Sequence, residues 1–251
     1  MLYPILENLG RRGLNVHGVA PPFGRAEELL PGCRSVVVVG SGGRSLWEGF
    51  EQALSEDSRR LTDEEHPLEA HIEGLVADAD PRPDGRRWLF ASDPRVPMQE
   101  LAEAAGLGVR GRLWLVMHPE FGPWMALRAV CLTTEVLPFS TPVSESPCEG
   151  CSAPCAEVCP ADALRAELDW KRCIAHQALK ERCFPLCHSR RACPEGEGHA
   201  YTTLQQRYHA EPHTGRVALA SKLGIAEDRA VPPGRFTRVL RAYLDELKES
   251  R

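Results

Sequence analysis

The distribution of cysteine constrains this chain more than any other feature. Ten cysteines occur in 251 residues, and eight of them lie between Cys148 and Cys193. In a small secreted domain such density would mean a disulfide scaffold. This chain is long enough to bury a core of its own, with 43% hydrophobic and 26% charged residues. Its first residues, MLYPILENLGRRGLNVHG, contain no continuous apolar segment of the kind a secretion signal needs. The expectation is a cytoplasmic protein whose clustered thiols hold metal rather than pair with one another. No stretch approaches the roughly 18 apolar residues of a membrane span, so no membrane association is expected. A net charge of −5 argues against a general nucleic-acid binder, although a local basic patch stays compatible with it.

Three regions separate by composition: 1–140, a cysteine-rich module over 141–198, and a helical tail over 199–251. In the first region, CRSVVVVG (33–40) is a run of β-branched residues typical of a buried strand. Residues 2–12 read as an amphipathic helix. Phe50 to Ala77 reads as mostly helical with a break at Pro67. RRWLFA (86–91) is a second strand, and 97–106 is a helix entered through Pro97 and stopped by Gly106. RLWLVMH (112–118) and WMALRAVCLT (124–133) read as an antiparallel hairpin across HPEFGP. LPFSTPVSESP (137–147) reads as a linker. The pattern is α+β.

The cysteine spacing is Cys148-x2-Cys151-x3-Cys155-x3-Cys159-Pro160, then Cys173, Cys183, Cys187 and Cys193-Pro194. Each half supplies four thiols and ends in Cys-Pro. Three close cysteines wrap one iron–sulfur cubane, and a fourth followed by proline turns away to the other cluster. That logic predicts two [4Fe-4S] clusters, one on Cys148, Cys151, Cys155 and Cys193, the other on Cys159, Cys173, Cys183 and Cys187. The three-residue gap between Cys151 and Cys155 is longer than in bacterial ferredoxins. One cluster, or two tetrahedral zinc sites, uses the same residues. Cys33 and Cys131 fall in expected strands and read as buried hydrophobes.

GLGVRGRLWLVMHPEFGPWMALRAVCLTTEV, with CEGC, CAEVCPADAL and LDWKRCIAHQAL, resembles the epoxyqueuosine reductases over about 97–195. These are cobalamin-dependent enzymes with a two-cluster ferredoxin module. HPEFGPWMALRAV, LTDEEHPLEAHI and GRVALASKLGI also resemble the CblC-type cobalamin-processing proteins, which lack such a module. Both resemblances imply a nitroreductase-like domain holding cobalamin over its sheet, followed here by a ferredoxin-like module and C-terminal helices. They also imply site residues. The epoxyqueuosine enzymes carry an Asp-Tyr-His motif that this chain lacks. Their proton-donating acid corresponds at best to Asp93, in Asp93-Pro-Arg-Val-Pro-Met-Gln-Glu100. Where they have glycine, the CblC-type proteins have an arginine lining the cofactor site, and here Arg128 stands in Trp124-Met-Ala-Leu-Arg128-Ala.

Arg128 and Asp93 are therefore the candidate catalytic residues, and Arg128, Trp124 and His118 the candidate cobalamin contacts. Strand alternation puts Trp124, Ala126, Arg128 and Val130 on one face. A structural ion pair is the plainer role for Arg128, a core position for Trp124 and Phe121, and a turn for His118. His66 and His71 read as a satisfied pair. Arg182, His188, Arg190 and Arg191 read as a solvated surface or a docking patch. The Gly-rich GSGGR (40–44) matches no phosphate-binding motif.

The expected activity is a reductase passing electrons from an outer to an inner cluster and on to cobalt, removing the upper axial ligand of cobalamin. The expected partner is a low-potential donor of flavodoxin or ferredoxin type. Reduction of a tRNA nucleoside, or electron carriage without catalysis, are the alternatives, and tRNA is a partner only under the first of these.

Overall fold

A computed structural model describes residues 2–59, 66–165, 168–178, 186–210 and Lys222. Two compact units interleave along the chain. One comprises Met1–Leu46, Ile72–Ala153 and Cys193–Ala200, the other Trp47–His71, Pro154–Ala192 and Tyr201–Arg251.

The first unit is built on a four-stranded antiparallel sheet. Its strands are β1 (Val16–Ala20), β2 (Ser35–Gly42), β3 (Arg86–Phe90) and β6 (Met125–Thr133), in the order β1-β2-β6-β3. Two short strands, β4 (Val109–Arg110) and β5 (Val116–Met117), pair separately. The valine run is β2, buried along its whole length between β1 and β6. Val36, Val37, Val38 and Val39 are each fully buried, and each such side chain contributes about 1.5–3 kcal/mol of transfer free energy. Val36, Val38, Val130 and Leu132 face a core that takes in Leu101, Ala102 and Ala105. Leu101 and Ala102 lie on the helix Met98–Ala104, and Ala105 caps it. Among the described residues, helices Tyr3–Arg11, Ala26–Leu29, Ser45–Glu56 and Pro67–Ala79 precede β3 in the chain, the last two running through the sequence boundary between the units. Met98–Ala104 is the fifth helix of the described residues, α5.

The expected hairpin between 112–118 and 124–133 does not form. Only Val116–Met117 of the first segment is strand, and it pairs with β4, while β6 runs between β2 and β3. A bridge between His118 and Gly122 closes the turn itself. Trp114, at φ 57°, turns the chain before β5 begins. Residues 137–147 carry no regular structure but are fastened. Ser140 Oγ accepts from the amide of Val19, and the Ser140 amide donates back to the Val19 carbonyl. Sequence reading missed β1, whose VHGVA lacks a clean alternation.

In the second unit, the described residues include short helices Pro154–Glu157 (α6), Trp170–Ala178 (α7), His188–Arg191 (α8) and Thr203–Ala210 (α9). Trp47, Phe50 and Tyr208 pack ring against ring, with centroids 5.2–5.9 Å apart. The expected tail helices 215–225 and 234–250 lie outside the described residues, Lys222 apart.

One buried ion pair anchors edge strand β3. Asp80, with 3% of its side chain exposed, accepts from Arg86 Nε and Nη2 and from Trp88 Nε1, each at 2.9 Å. Burial opposes the charge, but the hydrogen bonds from Arg86 and Trp88 outweigh it and hold the carboxyl below its usual range. The pair therefore stabilises the fold above the unfolded carboxylate pKa of about 3.9 and loses that contribution as pH falls through the lower folded value. Asp80→Asn should cost about 3–5 kcal/mol at neutral pH in urea unfolding. The gap to wild type should close below about pH 3.9. An equal gap at pH 3 and pH 7 would refute the assignment.

Candidate functional site

Arg128 sits on a β-bulge. Along β2 and β6 the register runs Val38 to Val130 and Val39 to Ala129, then skips to Gly40 opposite Leu127. Two residues of β6, Arg128 and Ala129, thus fall where β2 spends one step. Bulges re-aim side chains, and this one changes which residues share a face. Val130 and Leu132 point into the apolar core on one side of the bulge, Met125 and Leu127 on the other. The expected grouping of Val130 with Arg128 is corrected accordingly. Unbroken alternation from Val130 would have driven the guanidinium into that core. Instead Arg128 is half-buried and its Nε donates to Ser41 Oγ at 3.0 Å. Ser41 is itself buried, on the last turn of β2 before Gly42. Asn15 grips that end of the strand: its Oδ1 accepts from the Gly42 amide at 2.8 Å and its Nδ2 donates to the Gly42 carbonyl at 3.2 Å. Ser41 was not singled out by sequence. Its signal was present, as a hydroxyl inside the Gly-rich end of a buried strand.

Trp124 and His118 lie at the entry to β6. Trp124 is buried, and its carbonyl accepts from the Gly43 amide at 2.9 Å. His118 Nδ1 accepts from the amides of Glu120 and Phe121 at 3.1 and 3.3 Å. Burial lowers its pKa against an opposing pull from Glu120, with a smaller push from His199. The ring is neutral at pH 7 and carries its proton on Nε2. Phe121 packs between His118, tilted against its ring at 5.0 Å, and His199, edge-on at 4.7 Å between centroids. It belongs to the apolar core, as expected.

The segment after Cys193 docks on this turn. A Cβ on Gly122, at φ +52°, would meet the Glu195 carbonyl oxygen at 2.3 Å. The chain that leaves one expected cluster ligand thus lies against the turn that carries His118 and Trp124.

Asp93 is placed differently. It follows β3, and Arg95 holds its carboxylate through Nε at 2.9 Å and Nη2 at 2.5 Å. The hydrogen bond from Arg95 is the main cause of a pKa lowered to about 2. A group so held is an anion at neutral pH and a poor proton donor.

None of the nine described cysteines is paired in a disulfide. Cys33 and Cys131 are buried in the first unit, and burial pushes both thiols up, as suits inert core residues. Among the other seven, four sulfurs accept backbone amides at 3.4 Å: Cys148 from Arg112, Cys151 from Ala153, Cys159 from Ala163 and Cys187 from Arg190. Reduced sulfur that accepts amide hydrogen bonds is the donor chemistry of iron–sulfur ligation. Cys183 lies outside the described residues. Among the described residues, no three Cys, His, Asp or Glu side chains are gathered as a metal site. His71 packs its ring on Phe50, 5.5 Å away. Arg190 lies over the Tyr201 ring at 4.6 Å, and Arg182 falls outside the described residues.

The fold is that of a known group of mixed α/β proteins. An epoxyqueuosine reductase solved with an epoxyqueuosine-modified tRNA stem loop superposes with TM-score 0.55 at 16% identity, covering 91% of this chain and 70% of that one. The Caenorhabditis elegans B12-trafficking protein CblC superposes with TM-score 0.53 at 13% identity, over 90% of this chain and 95% of that one. By sequence, the chain is similar to the epoxyqueuosine reductase of Gloeobacter violaceus, 31% identical over 180 residues, 64% of this chain and 51% of that protein. It is also similar to that of Synechococcus sp. strain CC9605, 41% identical over 83 residues, 32% of this chain and 25% of that protein. The chain thus spans about half the length, or less, of these curated relatives. No protein-family profile matches it.

The Arg95 contact makes a direct prediction. In a carboxyl NMR titration Asp93 should stay ionised down to about pH 2. In Arg95→Ala its midpoint should rise toward the ordinary value of about 3.9. An unchanged midpoint in the variant would show that Arg95 is not the cause.

Proposed function

We propose that this chain is an iron–sulfur reductase whose substrate is cobalamin and whose reaction removes the upper axial ligand. The observation that carries the reading is Arg128, lifted out of the apolar core by the bulge and fixed by Ser41. Cys148, Cys151, Cys155 and Cys193 would hold one [4Fe-4S] cluster, and Cys159, Cys173, Cys183 and Cys187 the other. Such clusters supply single electrons at low potential, received from a flavodoxin or ferredoxin type donor. With cyanocobalamin, one electron reduces Co(III) to Co(II) and cyanide leaves with the bonding pair. Arg128 would face the substrate, where a fixed cation stabilises a departing anion. His118 and Trp124 would border the corrinoid from the turn before β6.

A second reading has its own support. The similar curated sequences are epoxyqueuosine reductases, and one solved neighbour holds a modified tRNA stem loop. On that reading Asp93 would be the acid, and its pairing with Arg95 counts against that role. Among the described residues no helix is long and apolar enough to cross a membrane.

The test uses anaerobically reconstituted full-length protein, a low-potential reductant and either cyanocobalamin or epoxyqueuosine-modified stem loop. Iron and sulfide should each approach about eight per chain if both halves form cubanes. Cyanide should be released and the stem loop left unchanged. Arg128→Gln should keep its iron and its melting temperature while decyanation falls at least tenfold, about 1.4 kcal/mol. Turnover of the stem loop without decyanation would replace this reading with the second. Full activity in Arg128→Gln would remove Arg128 from the site.

A further inference from the structure

Among the amide-to-sulfur hydrogen bonds of the described residues, those at Cys151, Cys159 and Cys187 come from residues two to four positions further along the same loop. The bond at Cys148 comes from Arg112, 36 positions away, at the tip of the β4–β5 hairpin. Gly111 makes that approach possible. A Cβ there would stand 3.0 Å from Cys148 Sγ and 2.5 Å from Met117 Cγ.

The tip is fastened from several sides. The Gly111 amide donates to the Leu115 carbonyl at 3.0 Å, and the Trp114 amide to the Gly111 carbonyl at 2.9 Å. Trp114 holds a left-handed backbone, φ 57°, which a bulky side chain rarely adopts. Such strain persists only where the surroundings over-determine it, and α5 supplies the restraint. Gln99 Nε2 donates to the Trp114 carbonyl at 3.2 Å. Glu103 takes both the amide and the guanidinium of Arg110 at 2.8 Å. A helix side chain thus grips each limb of a strained turn whose Arg112 amide donates to a thiol sulfur.

We propose that the Gly111–Arg112 peptide is a positioning element that sets the reduction potential of the cluster ligated by Cys148. It rests on the reading of Cys148 as a cluster ligand. A reduced cluster carries one more negative charge than an oxidised one, so an amide proton aimed at its sulfur favours the reduced form and raises the potential. The local amides at Cys151, Cys159 and Cys187 travel with their own cysteines. The Arg112 amide is instead held by α5 and acts on one cluster only.

The test is a redox titration of reconstituted full-length protein followed by EPR, with iron measured in every sample. Gly111→Ala forces the tip off the sulfur, and Arg112→Pro deletes the amide. Each should keep its iron and lower one midpoint while the other holds. A tenfold fall in the reduced-to-oxidised ratio reads as about 59 mV for one electron. Arg112→Ala, which keeps the amide and removes only the guanidinium, should lower that midpoint less than Arg112→Pro, which removes both. A measurement on wild type covers the case in which the variants fail to fold. In paramagnetic NMR of the loaded protein, the Arg112 amide proton should be displaced from its diamagnetic position, as should that of Ala153. An Arg112 amide at its diamagnetic position, or iron-loaded variants with unmoved midpoints, overturns the inference alone. Wild-type protein that binds no iron overturns the ligand reading and the inference with it.

Discussion

The first unit depends on the pairing of β2 with β6. β2 is buried throughout, and β6 takes partners on both edges, so the side-chain register of this one ladder assigns every neighbour its face. A sheet with period two cannot carry an arginine among Val130, Leu127 and Met125 without burying charge in the core, at a cost of several kcal/mol. The bulge resolves the conflict by inserting one residue. Core residues continue on both sides of it, and Arg128 is released toward Ser41. The same step is a structural necessity and the origin of the candidate site.

That step explains why the sequence was legible only in part. The valine run, α5 and the long strand ending at Thr133 follow from local pattern, because burial and period are local properties. The bulge is not local. WMALRAV alternates well enough to be read as an unbroken strand, and only the register against Val39 and Gly40 exposes the extra residue. The hairpin expectation failed for a related reason. HPEFGP is a genuine turn, yet the strand before it pairs back to Val109–Arg110, and β6 finds partners far away in sequence. Pattern shows that a segment will pair, and not with what.

The cysteines show the complementary case. Residue type and spacing give donor chemistry without geometry, and burial then separates two kinds of thiol. Cys33 and Cys131 sit in the core with thiols pushed up, unfit to be thiolates. The seven others described are half-buried apart from Cys155, and four of them accept amide protons. No sequence rule would have paired Arg112 with Cys148, since that contact depends on a glycine whose missing side chain leaves room for a sulfur atom.

Two charges distinguish the readings of the site more sharply than overall similarity does. Opening an epoxide reductively needs a proton delivered to the departing oxygen, hence an acid whose pKa stands near the working pH. Arg95 moves Asp93 the other way, to about 2, and leaves it a permanent anion. Expelling an anionic ligand from a metal needs no proton. It is driven by reduction of the metal, and a cation already in place would assist, because a charge that must be recruited from solvent costs reorganisation at the moment of reaction. A guanidinium stays protonated at any working pH. Ser41 fixes its Nε, and the strand beneath it is paired on both edges. A guanidinium so placed would suit a departing anion whether or not an acid is present, and that asymmetry is the physical ground on which we propose cobalamin as the substrate.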